Sequence, residues 1–283
     1  MMQTEPTLRV LTPNEAPAVL KLMSKIGWDH SLDQTRECIV WGGKGSFCLA
    51  FGDEIVGTTI ANKYSERLAW IGLVISDPDY QRRGFARRLM DHAMSHLSDV
   101  DSVMLDASTQ GYPLYDKMGF QSLYKINVYI GAPQRFEPNP SIRPMTHDDM
   151  PAILEVDYHN VGVSRSAVLH WLFETGQGFV ATKGNTITGF IFVKKHLDTL
   201  RLAGWNARDA ATAEALFQLG STLAAEENFA NYRINIPEPN TLACDIATRH
   251  NMPLDRYVTR MVYGKEAPGH MDDQYGIIAF MTG

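Results

Sequence analysis

The chain has 283 residues and ordinary globular composition, 45% hydrophobic and 20% charged, and is longer than one typical domain. Its net charge of -6 and pI near 5.8 exclude nucleic acid as the main partner, since a binding face would need a basic excess. Cys38, Cys48 and Cys244 are odd in number and lack paired spacing, so they fit reduced thiols in a cytoplasm better than a disulfide frame or a metal site. No apolar run precedes Arg9, and none approaches the ~18 residues of a membrane span, so neither secretion nor membrane contact is expected.

Leu8 to Leu11 reads as a first strand, and Thr12-Pro13 supplies an N-cap with proline at the first helical position. Val19, Leu20, Met23 and Ile26 then mark one face of a helix that Gly27 ends. Ser31 or Asp33 starts a second helix reaching Trp41, and a glycine-rich turn at 42–45 leads into strands Phe47 to Phe51 and Ile55 to Asn62. A third strand of this group runs from Leu68 to Ile75 and stops at Asp77-Pro78. Phe85, Leu89, Ala93 and Leu97 recur every four residues, as on a helix face. Val103 to Ala107 reads as a strand, Gly111 to Phe120 as a short helix with Pro113 in its first turn and Gly119 as its left-handed cap, and Gln121 to Ile130 as another strand.

The join at 76–90 is the most informative stretch. If a helix opens near Gly84, the amides of Arg82 to Ala86 are among those with no carbonyl partner inside it, and an anion is their natural ligand. A side chain at position 84 would hold a diphosphate off the backbone, while Arg82, Arg83, Arg87 and Arg88 add positive charge. The three glycines of a dinucleotide fingerprint and the Gly-Lys-Ser/Thr of a P-loop are both missing. Gln81-Arg82-Arg83-Gly84-Phe85-Ala86 instead resembles the acetyl-CoA pyrophosphate loop, Gln/Arg-x-x-Gly-x-Gly/Ala, of the GCN5-related N-acetyltransferase (GNAT) superfamily. The order strand, two helices, three strands, helix, strand, helix, strand over residues 8–130 is similar to that family as well.

The resemblance implies acetyl-CoA as co-substrate, with its pantetheine arm along Val74, Ile75 and Ser76 and its pyrophosphate on Gln81, Arg82, Arg83, Gly84, Phe85 and Ala86. The segment Leu114 to Phe120 resembles the family's Leu-Tyr-x-x-x-Gly-Phe, which makes Tyr115 the expected general acid near the acetyl-CoA sulfur, with Tyr112 as a weaker competitor. A phenol of pKa about 10 can protonate a departing thiolate at neutral pH. Many members carry asparagine seven residues earlier, where this chain has Ser108, which implies a weaker contact to the pantetheine arm. The family builds its acceptor site from the loop between its first two helices, here Trp28-Asp29-His30, an indole and two ionisable groups that suit an amine. Trp70 and Gly72 occupy the strand where a base often sits, and neither can serve, which leaves Asp106, His30 or a water.

Three prolines without periodicity between 131 and 141 mark a linker and divide the chain into 1–131, 132–140 and 141–283. The second part repeats the first in outline. Ile142 to Met145 and Asp148-Asp149 mirror the opening strand and cap; strands follow at Phe179 to Thr182, Thr188 to Lys194 and Leu200 to Trp205. A helix from Asp209, a strand at Tyr232 to Ile236 and a helix at Leu242 to His250 complete the order. Its loop reads Asn206-Ala207-Arg208-Asp209-Ala210-Ala211, without glycine and with an acidic residue that would repel a diphosphate, and no tyrosine answers Tyr115.

The expected fold is therefore α/β (α+β): tandem GNAT folds, each a mixed, mostly antiparallel twisted sheet flanked by helices. The second is degenerate, and it completes the acceptor pocket, supports the first domain or forms a homodimer. Ile277 to Phe280 returns as an edge strand or as a plug. The expected activity is transfer of acetyl from acetyl-CoA to a primary amine of a small molecule by direct attack. The alternatives are a non-catalytic acetyl-CoA-sensing or interaction protein and a protein or peptide N-acetyltransferase.

Overall fold

The computed structural model describes residues 5–28, 30–271 and 274–283. Its first half runs β1 (Thr7–Val10), α1 (Ala16–Lys25), α2 (Leu32–Gly42), β2 (Ser46–Phe51), β3 (Glu54–Lys63), β4 (Leu68–Ser76), α3 (Phe85–His96), β5 (Ser102–Ala107), α4 (Tyr112–Lys117) and β6 (Gln121–Gly131). The second runs β7 (Ile142–Pro144), α5 (Met150–Val161), α6 (Ser166–Thr175), β8 (Gln177–Lys183), β9 (Thr186–His196), β10 (Thr199–Ala207), α7 (Ala210–Glu226), β11 (Asn231–Pro237), α8 (Thr241–Arg249) and β12 (Leu254–Gly264). Among the described residues no helix is long and apolar enough to cross a membrane.

Local signals act where side chains can satisfy backbone ends. Thr12 and Glu15 form a capping box, and Ser31, not Asp33, caps α2 by accepting the Gln34 amide at 3.1 Å. The buried face of α1 is Ala16, Val19, Leu22 and Met23, rotated from the expected stripe, with Leu20 and Ile26 at its half-buried margins. Two elements go beyond the sequence expectation, α6 and β12.

All twelve strands join in one sheet in the order β1-β2-β3-β4-β5-β12-β6-β11-β10-β9-β8-β7. Among the described residues, only β4–β5 and β10–β11 are parallel. The final strand of each half crosses to the other: β12 pairs with β5, β6 pairs with β11, and the two meet antiparallel at the centre. The sheet continues unbroken past the 132–140 segment. This exchange covers two edges that would otherwise carry unpaired backbone groups.

Helices cover both faces of each half. One face of the first half packs α1 and α2 over Cys48, Ile60, Leu73 and Ile75; the other packs α3 and α4 over Ala69, Ile71, Val103 and Leu105. In the second half, α5 and α6 cover Val180, Phe190 and Phe192, and α7 and α8 cover Leu200, Leu202, Tyr232 and Ile234. Where the exchanged strand β12 meets β5, Arg260 and Asp106 face each other and form a fully buried two-pronged ion pair at 2.9 and 3.0 Å. The guanidinium also lies 4.8 Å from the centre of the Trp70 ring. Such a pair gains little overall, but removing one partner strands a buried charge.

Candidate active site

The parallel pair β4–β5 holds register for three residues only, Leu68↔Ser102 to Trp70↔Met104, and then the strands diverge. On its other edge β4 carries a bulge against β3 between Thr58 and Ile60, where Leu73 takes φ +49° and its carbonyl accepts the Thr58 hydroxyl at 2.8 Å. A left-handed leucine in a strand is strained by ~1–3 kcal/mol and marks a place where the backbone is held for a purpose. Val74, Ile75 and Ser76 follow, facing the divergence. The Ser76 hydroxyl is buried there with no hydrogen-bond partner among the described residues.

β4 then delivers the chain to the 81–86 turn. Arg82 at φ +60° and Gly84 at φ +76° bracket Arg83, and a Cβ added to Gly84 would meet nothing within 4 Å, so the backbone is open to solvent. Gly84 is the N-cap of α3 and offers no side chain to the helix amides. The arginines differ from the simple basic patch expected. Arg83 folds over Phe51, Tyr80 and Phe85 at 5.4 to 5.9 Å, Arg87 bonds Asp91, and Arg88 pairs with Glu5 at 3.5 Å. The anion-attracting feature is therefore chiefly the row of helix amides and the adjacent left-handed turn.

The second half repeats this geometry and fills it. The β10–β11 pair is parallel from Thr199 to Leu202 and then diverges, with a bulge between Ala203 and Asn206 and Gly204 at φ +57°. The chain's own tail occupies that divergence: Gly276 and Trp205 exchange backbone hydrogen bonds at 3.0 and 3.1 Å, Gly204 donates to Ile277, and Ile277 donates to Asn235. The tail is thus a plug and not an edge strand. At the start of α7, the Asp209 carboxylate accepts the Thr212 amide at 2.8 Å and its hydroxyl at 3.0 Å, so this helix end is capped from within.

Beyond the plug the tail crosses to the first half. Trp70 Nε1 donates to the Phe280 carbonyl at 2.9 Å, Tyr64 to that of Thr282 at 3.0 Å, and Arg165 to Thr282 at 2.8 Å and to Gly283. Arg165 is itself buried and paired with Asp157 at 2.5 Å. Met281 packs against Gly72, where an added Cβ would stand 2.8 Å from its own. The strand position considered for a base is therefore covered by the tail. Trp41 of α2 and Trp171 of α6 meet edge to face at 5.1 Å across the junction of the halves.

Tyr115 is buried on the α3–α4 face among Val74, Met90, Leu105 and Phe120, its ring lying against Gly111. Burial pushes its phenol above the ordinary value, so it stays protonated. Ser108 spends its hydroxyl on the Gly111 amide at 3.2 Å, which tightens the turn into α4, while Tyr112 is bonded to Ser122 at 3.0 Å. In the α1–α2 loop Trp28 is 38% exposed, Asp29 lies outside the described residues, and His30 turns inward to stand 6.3 Å from His196 of β9. Burial first, then Arg201, His196 and Arg233, lower the His30 pKa to about 3. Asp106, the other candidate base, is committed to Arg260. The residues missed by sequence reasoning are Leu73, Met281 and the pair of tryptophans; only the bulge-prone glycine at 72 hinted at any of them.

A strand pair that opens beside an uncapped helix start, with a protonated tyrosine behind it, defines an acyl-transfer fold of the GNAT type. A model of the acetyltransferase (GNAT) family matches residues 20–120, and a model of the acetyltransferase (GNAT) domain matches 153–276. The chain belongs to the GNAT acetyltransferase family and carries two such domains. The holothin acyltransferase of Pseudoalteromonas sp. (strain SANK 73390) is 25% identical over 195 residues, 68% of this chain and 66% of that protein. The uncharacterized N-acetyltransferase YitH of Bacillus subtilis (strain 168) is 24% identical over 272 residues, 94% of each. In fold, a putative acetyltransferase from Pyrococcus horikoshii superposes with a TM-score of 0.85 at 21% identity, covering 100% of this chain and 98% of that one.

Proposed function

We propose that the protein transfers the acetyl group of acetyl-CoA to the primary amine of a small molecule by direct attack, using the first half alone for the cofactor. The observation that carries this reading is the asymmetry of two matched sites. In the first, the diverging strands are open and α3 is uncapped; in the second, the tail fills the divergence and Asp209 caps α7.

The residues of the first site fit acetyl-CoA. The amides at 82–86 would hold its diphosphate, and the free edge of β4 at Val74 to Ser76, with the unsatisfied Ser76 hydroxyl, would hold the pantetheine arm. Acetyl-CoA supplies an activated thioester there. Backbone donors on β4 would polarise the thioester carbonyl, and Tyr115, held protonated, would donate to the departing thiolate. His30, kept neutral, can accept a hydrogen bond but is too weak a base to take the amine's proton, which leaves that step to water. The second half and the tail close the acceptor side, which favours a small acceptor over a peptide. Three unpaired thiols favour a cytoplasmic setting.

Thiol release from acetyl-CoA across a panel of small primary amines tests the reading. Amine-dependent release is expected; tight acetyl-CoA binding with no release for any amine would favour the sensing alternative.

A further inference from the structure

Two cavities beside the β4 bulge share two walls, Trp41 of α2 and Met281 of the tail. The smaller has about 10 Å³, room for one water, and its other walls are Cys38 of α2, Ile60 and Asn62 of β3, and Leu73 at the bulge itself. The larger has about 50 Å³ and lies between Trp41 and Trp171, with Ser31, Gln34 and Lys194 among its polar walls.

The two spaces differ in what they can hold. None of the described residues lining the smaller one carries a charge, since Asn62 is a neutral amide and burial pushes the Cys38 thiol up, which keeps it protonated. An ammonium group there would lose its hydration and gain no counter-charge. A methyl group would instead meet Ile60 and Leu73. The larger space, with polar walls, suits the acceptor. A pantetheine arm along Val74 to Ser76 would bring its thioester next to Leu73, at the smaller space.

Met281 is fixed where it stands. On one side of it the Phe280 carbonyl accepts Trp70 Nε1, and on the other the Thr282 carbonyl accepts Tyr64 and Arg165. The amides of Thr282 and Gly283 both donate to the Ala279 carbonyl, at 3.2 and 3.0 Å. Its Cβ lies against Gly72 and its sulfur touches the Cys38 thiol. With the backbone tied on both sides, the thioether is a wall and not a flap.

We propose that the smaller space is the acyl subsite and that Met281, supplied by the tail of the second half, limits the acyl group of the CoA ester to about two carbons. Without its side chain the two spaces would join, and a longer chain would run from Leu73 toward Trp171. The proposal rests on the acetyl-transfer reading above, and its test separates the two. Calorimetry with the full chain compares CoA, acetyl-CoA, butyryl-CoA and hexanoyl-CoA. Forcing extra methylenes against a packed wall predicts that the wild-type protein binds the two longer esters about tenfold or more weakly than acetyl-CoA. In Met281→Ala that penalty should vanish, with a gain of up to about fourfold for each added methylene that finds an apolar surface. Met281→Leu should keep the preference, and CoA, which has no acyl chain, should bind all variants alike. If Met281→Ala fails to fold, Met281→Val decides by the same shift. Equal binding of acetyl-CoA and butyryl-CoA by the wild type, a preference untouched by shortening Met281, or a loss of affinity shared by CoA and every ester would overturn the proposal. Amine-dependent thiol release in the same solutions reads the transfer activity separately: a length preference set by Met281 without release would count against acetyl transfer and not against the acyl subsite.

Discussion

At the residue scale, burial sets the protonation of two side chains, Tyr115 and His30. The tyrosine motif around Tyr115 can be read in the sequence, and the structure adds the reason its phenol holds its proton, an apolar enclosure between α4 and β4. Tyr115→Phe is expected to lower kcat by ~10² or more, the usual scale for losing a general acid, with acetyl-CoA affinity unchanged; the pair of constants from steady-state kinetics and calorimetry checks it. His30 is the opposite case. Its place in the sequence made it an acceptor-site candidate in the loop between the first two helices, but its half-buried position beside cations contributed by the second half is something no local pattern could reveal. Its folded pKa lies below the unfolded value of ~6.5, so the unfolded chain binds the extra proton as pH falls through that value, and this residue should remove about 1.4 kcal/mol of stability per pH unit below it. The prediction is a His30 ring resonance that does not titrate between about pH 5 and 8, and an acid-side stability loss that is smaller in His30→Gln; a resonance midpoint near the ordinary value would contradict it.

At the element scale the same two-part device, strand divergence followed by a helix start, appears twice with opposite outcomes. The sequence distinguished them by one residue each, Gly84 against Asp209, and the structure explains why that suffices: glycine leaves the α3 amides facing outward, whereas the aspartate turns back onto the Thr212 amide. Asp209→Ala should therefore cost about 1 kcal/mol of stability, as for other lost caps, measured by denaturant unfolding, without altering acetyl-CoA binding. The tail that fills the second divergence was less legible. Ile277 to Phe280 looks like a short strand, but its hydrogen bonds go to Gly204 and Asn235 deep in the sheet, a partnership fixed only by the tertiary fold. The same limit applies to Leu73, since leucine carries no signal for a left-handed bulge.

At the scale of the whole molecule the proline segment at 132–140 reads as a boundary between two units, while the sheet shows that the units exchange their last strands. Strand exchange is a long-range choice of partner: β12 would satisfy its own half's β11 or the other half's β5 with the same alternating pattern, so sequence periodicity cannot decide. Residues 1–140 expressed alone should expose the β5 edge and self-associate, and mixing with 141–283 during refolding should restore a one-to-one complex, visible by size-exclusion chromatography. Arg260→Met, which strands Asp106 in the β5–β12 seam, should cost about 3–5 kcal/mol by denaturant unfolding. Of the two matched strand divergences, the first alone is proposed to take acetyl-CoA. Calorimetric titration with acetyl-CoA is expected to find a single site per chain that Gly84→Glu abolishes and Asp209→Ala leaves intact; two sites per chain, or binding that persists in Gly84→Glu, would contradict this assignment.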